Sequence, residues 1–147
     1  MVLGSKFRVS IMLFFVVLFL DQLSKWFFRS HSYNIIDGFF WLSPSYNAGS
    51  AFGLFQWVPN WFFVLFSIVV LVGGIFVLRS WNLKLESWNS FIVYLFLSGI
   101  SGNLIDRFFF GRVTDFIAFS FWPSFNIADS AMVVSVVLLL WFEFQKK

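Results

Sequence analysis

The stretch WFFVLFSIVVLVGGIFVL, residues 61–78, decides the fold, because it contains eighteen consecutive residues without a charge. A helix needs about 20 predominantly apolar residues to cross the hydrocarbon core of a bilayer. Three more segments have a similar length and apolar character. The sequence therefore predicts an α-helical membrane protein with four membrane-spanning helices, at residues 8–28, 61–78, 88–105 and 125–144.

The composition of the whole chain agrees with this fold class. Of its 147 residues, 60% are hydrophobic and 12% are charged, whereas a soluble domain has roughly 25% charged residues. The length fits a single membrane-embedded domain, residues 1–147, with short connections between its spans. The net charge of +3 comes without a basic run outside the span ends, so we predict no nucleic-acid partner.

The basic residues indicate how the helices are oriented. If four helices alternate, six cationic residues fall on one side of the membrane and four on the other. The side with more cations is expected to be cytoplasmic, and it would hold both termini. No small-x-small cleavage site follows the first span, so we expect that span to be retained. The inner cations are Lys6, Arg8, Arg79, Lys84, Lys146 and Lys147, and the outer cations are Lys25, Arg29, Arg107 and Arg112.

Two long connections face outward in this arrangement, residues 29–60 and 107–124. In the first, Phe39–Leu42 is predicted to form a strand, followed by a turn at Ser43–Pro44. In the second, Val113–Phe121 is a further strand candidate. Functional residues often lie on such irregular connections, so we expect a site on the outer side.

The polar residues of the spans gather at one depth, near the outer surface. The inner halves of the spans are nearly free of them. A pathway for protons or ions would need polar residues through the full thickness of the membrane. This distribution instead favours a substrate held at the interface. Three pairs share a helix face by their spacing: Asp21 with Lys25, Asn103 with Arg107, and Asn126 with Asp129.

Asp115 and Asp129 are the strongest candidates for catalysis. The chain has no cysteine, which excludes a thiol nucleophile, a disulfide and a thiolate metal site, and its one histidine, His31, argues against a histidine zinc site. Two neighbouring carboxylates cannot both ionise easily, so one can hold a proton while the other deprotonates a water molecule. We therefore expect a carboxylate pair that hydrolyses a peptide bond without a metal or another cofactor.

Five motifs occur in order along the chain, and together they resemble the bacterial lipoprotein signal peptidases, or signal peptidase II. The resemblance extends from the first helix to the fourth. The minor departures are Ser24 for threonine, Ser50 for alanine and Met132 for isoleucine. The motifs are Asp21-Gln-Leu-Ser-Lys25, Asn47-Ala-Gly-Ser-Ala-Phe-Gly53, Gly102-Asn-Leu-Ile-Asp-Arg107, Val113-Thr-Asp-Phe-Ile117 and Phe125-Asn-Ile-Ala-Asp-Ser130.

The resemblance implies an aspartic peptidase of the bacterial cytoplasmic (inner) membrane, with both termini cytoplasmic and the active site at the outer face, and we expect it to be a monomer. It also implies a small extracytoplasmic β-cradle built from the first outer connection. Members of the family cleave signal peptides from lipid-modified prolipoproteins, just before a diacylglyceryl-cysteine. The catalytic pair maps onto Asp115 and Asp129. The site-supporting or substrate-binding residues are expected to be Asp21, Lys25, Asn47, Gly49, Asn103, Arg107 and Asn126.

Simpler interpretations remain open for several of these residues. Asp21 and Lys25 fit an ordinary intrahelical ion pair, and Asn47 with Gly49 fits a turn. Arg107 fits a surface anchor, and Asp106 beside it fits a structural role outside the pair. Ser24 and Lys25 fit a Ser-Lys peptidase poorly, because adjacent helical residues diverge by about 100°.

The alternative functions belong to other classes of protein. A small carrier or channel would use the carboxylates as ion ligands, and the single depth of the polar residues argues against it. A structural scaffold would not depend on any single aspartate.

Overall fold

The computed structural model describes residues 5–49, 55–80 and 88–145. It contains four helices that are long and apolar enough to span a membrane. The predicted number of membrane-spanning helices, four, is thereby confirmed. Lys84, Lys146 and Lys147, which contributed to the predicted orientation, lie outside the described residues. The helices are α1 (Ser5–Phe28), α2 (Asn60–Ser80), α3 (Trp88–Phe110) and α4 (Ile127–Phe144).

The ends of the last two helices differ from the prediction. Helix α3 continues past Ile105 to Phe110, because no helix-breaking residue occurs before Gly111. Gly111 ends the helix: its backbone N–H donates to the Arg107 oxygen at 3.1 Å, and its φ is 71°. This left-handed backbone conformation is common just after a helix, and glycine adopts it without strain. Helix α4 begins only at Ile127, because Phe125 belongs to a strand.

A four-stranded antiparallel sheet covers the outer ends of the helices, with its strands in the order β1-β2-β3-β4. The expected β-cradle is confirmed, and it is built from both outer connections, each of which supplies two strands. Strand β3 ends at Phe119, two residues before the predicted end. The strands are β1 (Tyr33–Ile36), β2 (Phe40–Asn47), β3 (Val113–Phe119) and β4 (Trp122–Phe125).

The turn predicted at Ser43–Pro44 is wrong as well. Both residues lie within β2, where the pairing with β3 shifts register between Leu42 and Ser45. Proline has no N–H to donate to a neighbouring strand, and a bulge is one of the few places where a strand accepts it. Pro44 therefore marks an irregularity inside a long strand and does not end it.

Helix α3 is the centre of the bundle, and each of the other three helices packs against it. Glycines allow two of these approaches. A Cβ at Gly99 would lie 2.5 Å from the Ala128 oxygen, and a Cβ at Gly102 would lie 2.5 Å from the Asp21 carboxylate. Small residues permit close helix packing in membranes, where van der Waals contact drives association. Helices α1 and α4 thus reach α3 closely at the depth of the polar residues.

Candidate active site

Asp115 and Asp129 reach the site from different elements. Asp115 lies in β3, which pairs with β2 on one side and β4 on the other. Asp129 lies in the first turn of α4. Asn126 caps this helix, since its side-chain oxygen accepts the Asp129 backbone N–H at 2.8 Å, while the Asp129 carboxylate accepts the Asn126 backbone N–H at 3.2 Å. This reciprocal capping box fixes the position of Asp129.

Asn126 also connects the two carboxylates. Its side-chain Nδ2 donates to Asp115 Oδ1 at 2.7 Å, while its Oδ1 is held by the Asp129 N–H. One fully buried amide therefore contacts the Asp115 carboxylate through one end and the backbone of Asp129 through the other. A change in either aspartate's position would disturb the same side chain.

Two further amides complete the hydrogen bonds to the carboxylates. Asn103 Nδ2 donates to Asp129 Oδ1 at 2.8 Å, and Asn47 Nδ2 lies 3.3 Å from Asp115 Oδ2. Lys25 Nζ donates to Asn103 Oδ1 at 2.9 Å. Because the lysine occupies the oxygen end of this amide, the NH₂ end must face Asp129.

A network of compensated charges lies behind these amides. Lys25 Nζ is 2.9 Å from Asp21 Oδ2 and 3.9 Å from Asp106 Oδ2, and all three side chains are fully buried. Arg29 Nη2 lies 2.8 Å from Asp106 Oδ1. Asp106 Oδ2 also accepts the backbone N–H of Thr114, the residue before Asp115, at 2.8 Å. This network ties α1, α3 and β3 together beside the carboxylate pair.

Burial makes Asp115 a weak acid. The residue is 2% exposed, and desolvation raises the pKa of its carboxyl to about 7, with a further increase from the neighbouring Asp129 charge. Hydrogen bonds from Asn47 and Asn126 and the charge of Lys25 lower the same pKa and oppose this shift only in part. Asp115 can therefore retain a proton near neutral pH, as a general acid in a carboxylate pair must.

Both carboxylates open into a groove of about 740 Å³ between α2 and α4, with α3 as its floor. Its polar groups lie mainly at the outer end, near the aspartates. Toward the membrane interior its walls are apolar, including Phe63, Phe66 and Met132. A groove of this size and character suits an apolar ligand with a polar end.

Arg107 lies at the outer end of the groove. Its Nη2 donates to the Gly49 backbone oxygen at 2.9 Å, and the Gly49 N–H donates to the Asn47 side chain at 3.0 Å. The Arg107 Nε is buried and has no hydrogen-bond partner among the described residues. The guanidinium therefore holds the chain beside Asn47 through Nη2, while its Nε stays buried and unpaired.

The structure brings together every residue that the sequence nominated, although their functional roles stay predictions. Asp115, Asp129 and the three asparagines are in direct contact. Asp21 and Lys25 support them from α1, and Gly49 and Arg107 form the outer rim. The hydroxyl of Ser24 donates to the Leu20 oxygen of its own helix at 2.7 Å, so it takes no part in the site.

Arg29 and Thr114 were not nominated, although both contact Asp106. The Arg29 Nε donates to Thr114 Oγ1 at 3.1 Å. A signal was present in the sequence, because Asp21, Lys25 and Arg29 follow one another at four-residue spacing and so share a helix face. Their partner on α3 could not be read from spacing alone.

Four apolar helices and a groove lined by two carboxylates are the features of a membrane-embedded enzyme. A family model described as signal peptidase (SPase) II matches residues 13–145. The chain belongs to this family of aspartic peptidases, which confirms the resemblance drawn from the five motifs.

Relatives and solved structures agree with this assignment. A lipoprotein signal peptidase of Bacillus pumilus is 40% identical over 134 residues, covering 85% of each chain. Another, from Syntrophomonas wolfei, is 38% identical over 132 residues, covering 86% of this chain and 87% of its own. A solved bacterial membrane enzyme superimposes with a TM-score of 0.85 at 26% identity, covering 94% of this chain and 88% of that one.

Proposed function

We propose that the protein is a lipoprotein signal peptidase that removes signal peptides from diacylglyceryl-modified prolipoproteins, just before the modified cysteine, with Asp115 and Asp129 as its catalytic pair. The observation that carries the proposal is the position of two amide-bonded carboxylates at the outer end of an apolar groove. The names of its relatives support the substrate class.

The mechanism begins with one proton on the carboxylate pair. The ionised carboxylate removes a proton from water, and the resulting hydroxide attacks the scissile carbonyl carbon. The protonated carboxyl gives its proton to the carbonyl oxygen, so a neutral tetrahedral intermediate forms. When the C–N bond breaks, the carboxyl that took the water's proton passes it to the leaving nitrogen of the lipid-modified cysteine. The new carboxylic group of the signal peptide returns a proton to the pair, which restores the starting state.

The asparagines maintain the geometry of this pair. Each aspartate accepts from a side-chain amide, so its oxygens are aimed before substrate arrives. Asn103 is in turn oriented by Lys25, whose positive charge is compensated by the Asp21 carboxylate. Arg107 lines the groove beside the pair, where its guanidinium can contact a backbone carbonyl of the substrate. Such preorganisation is worth more in a desolvated site than in water.

The orientation follows from the same proposal. Both termini face the cytoplasm, and the sheet and the carboxylates face outward, so the acyl chains stay in the bilayer while the peptide reaches Asp115 and Asp129. One chain contains the complete set of groups, so a monomer is sufficient. A reporter fused after Lys147 that is active only outside the cytoplasm would contradict this orientation.

The decisive test is cleavage of a synthetic peptide whose cysteine carries a diacylglyceryl group, by the purified protein in detergent without an ion gradient. Wild-type protein is expected to release the signal segment at the bond before that cysteine. The same peptide without acyl chains should be cleaved far more slowly, because each buried CH₂ contributes about 0.8 kcal/mol to membrane binding. Equal rates for both peptides would indicate a general peptidase.

A further inference from the structure

Ser67 is a polar residue in the otherwise apolar part of the groove. It lies on α2, is 7% exposed and lines the groove with Phe63, Phe66 and Ile100. Its hydroxyl forms no hydrogen bond with any of the described residues. Among the described residues, the side-chain atoms that are both fully buried and unpaired are Asn60 Oδ1 and Arg107 Nε, so the unpaired Ser67 hydroxyl is accessible from the groove, where a ligand can contact it.

Other buried serines of the helices behave differently. Ser98 donates to the Leu95 oxygen at 2.6 Å, and Ser135 donates to the Met132 oxygen at 2.6 Å. This local bonding to the preceding turn is the usual way for serine to satisfy itself in a helix. Neither of these serines lines the groove, whereas Ser67 both lines it and lacks such a bond within the described part of the chain.

The depth of Ser67 follows from contacts between helices. Asn60 Nδ2 donates to the Arg107 backbone oxygen at 2.9 Å, so the outer end of α2 is level with Arg107 on α3. Ser67 lies seven residues inward from Asn60, and Asn103 lies four residues inward from Arg107. At about 1.5 Å per residue, Ser67 is therefore roughly 4.5 Å deeper than Asn103, which contacts Asp129.

We propose that Ser67 is a specificity-determining residue that donates a hydrogen bond to an ester carbonyl of the substrate's diacylglyceryl group. This inference rests on the proposed function. Eight bonds separate the scissile carbonyl carbon from the nearer ester carbonyl carbon, through the cysteine side chain, the thioether sulfur and the glyceryl carbons. At about 3.8 Å for every three bonds of an extended chain, they span roughly 10 Å. That reach covers the difference in depth and leaves length to cross the groove from Asp129 to α2.

The assignment explains why one hydroxyl suits this wall. The acyl chains need only apolar contacts, which the phenylalanines of α2 provide. The ester carbonyl is the last strong hydrogen-bond acceptor before the hydrocarbon, and it must lose water as it enters the groove. A donor at this depth replaces that water, so a lipid with ester linkages is favoured over one with ether linkages, which lacks the carbonyl.

The experiment compares two peptides that differ only in the lipid, one diacylglyceryl and one dialkylglyceryl. For each enzyme, kcat/KM is measured on both, and the ratio of ester to ether rates is taken. Wild type is expected to favour the ester peptide about three- to tenfold, the range for one neutral hydrogen bond. Ser67→Ala should bring the ratio close to one, chiefly by slowing the ester peptide. Ser135→Ala, which removes a buried hydroxyl outside the groove, should keep the wild-type ratio.

The outcomes separate the two proposals. A Ser67→Ala enzyme with the same ester-to-ether ratio as wild type would overturn the role of Ser67 and leave the proposed function intact. Wild-type protein that cleaves neither lipidated peptide would overturn the proposed function, and this inference with it. Because each ratio is measured within one preparation, a variant that folds in lower yield still gives a valid result.

Discussion

Two pairs of carboxylates lie close together in this protein, and the groups that surround them differ in charge. Asp21 and Asp106 are each within 2.9 Å of a cationic nitrogen, from Lys25 and Arg29 respectively. Asp115 and Asp129 receive hydrogen bonds from neutral amides instead. Among the described residues, no cation lies within 4 Å of either member of the second pair.

This difference in surroundings suits one pair of carboxylates to a structural role and the other to proton transfer. A buried carboxylate beside a cation is held in an ion pair, which links the elements that carry the two partners. A buried carboxylate that is held only by amides is positioned without being neutralised, and its proton remains available. The first pair therefore fixes helices, and the second is suited to move protons.

The largest effect is expected from neutralising the second pair. Asp115→Asn and Asp129→Asn should each abolish detectable cleavage, because an amide can neither accept the water's proton nor share one. The double variant should be scarcely worse than either single one, as expected for residues that act as a unit. Single-turnover cleavage of the lipidated peptide measures the loss, and binding of the same peptide is measured separately. If Asp129→Asn bound the peptide and cut it at a tenth of the wild-type rate, the assignment of the pair would be wrong.

Removing the cation beside the first pair should lower the stability of the protein more directly than its catalytic rate. Lys25→Met leaves the fully buried Asp21 without its cation and should lower the free energy of unfolding by about 3–5 kcal/mol. Thermal unfolding in detergent measures this loss. The double variant Lys25→Met with Asp21→Asn, which removes both charges, should regain part of the stability. A single variant as stable as wild type would show that the network is not structural.

The pH dependence tests whether the second pair keeps its proton. The pKa of Asp115 is raised to about 7, so the singly protonated pair is lost as the pH rises through that value. Above pH about 7, kcat/KM should fall about tenfold per pH unit, because the general acid is deprotonated. The measurement uses a peptide without groups that titrate between pH 6 and 9, and unfolding temperatures across the range serve as the control. A rate that rises between pH 7 and 8.5 would contradict the mechanism.

The smallest effect is expected at a third kind of carboxylate. Asp37 lies in the exposed turn between β1 and β2, where its partner is the nearby Asn34. Asp37→Asn should change kcat/KM by less than about twofold, since a surface carboxylate contributes little to folding or to a distant site. A large loss of cleavage would show that the outer turn takes part in substrate binding.

The sequence predicted what depends on local spacing and missed what depends on pairing. The Asp21–Lys25 ion pair and the contact of Asn126 with Asp129 both follow from spacing along the chain. The contact of Asn47 with Asp115 could not be predicted by spacing. It depends on the register between β2 and β3, which the bulge after Leu42 shifts.

The number of strands in the second connection was not predicted correctly either. Val113–Phe121 looked like one strand, whereas β3 and β4 form a hairpin within residues 113–125. The five motifs nominated the residues that the structure brings together around Asp115 and Asp129. The groove could not be predicted from the sequence, because α2 and α4 are distant along the chain and form its walls only by packing around α3.

The Asp21 carboxylate also accepts the backbone N–H of Ala128 at 2.9 Å, so the first helix completes the start of the last one. During synthesis, α1 enters the membrane long before α4 has been translated. Asn126 caps α4 locally, and the contact with Asp21 is added when α1 and α4 have both packed on α3. If Asp115 and Asp129 are the catalytic pair, the site is complete only when the final helix has packed, and a chain that has not yet reached α4 is expected to be inactive.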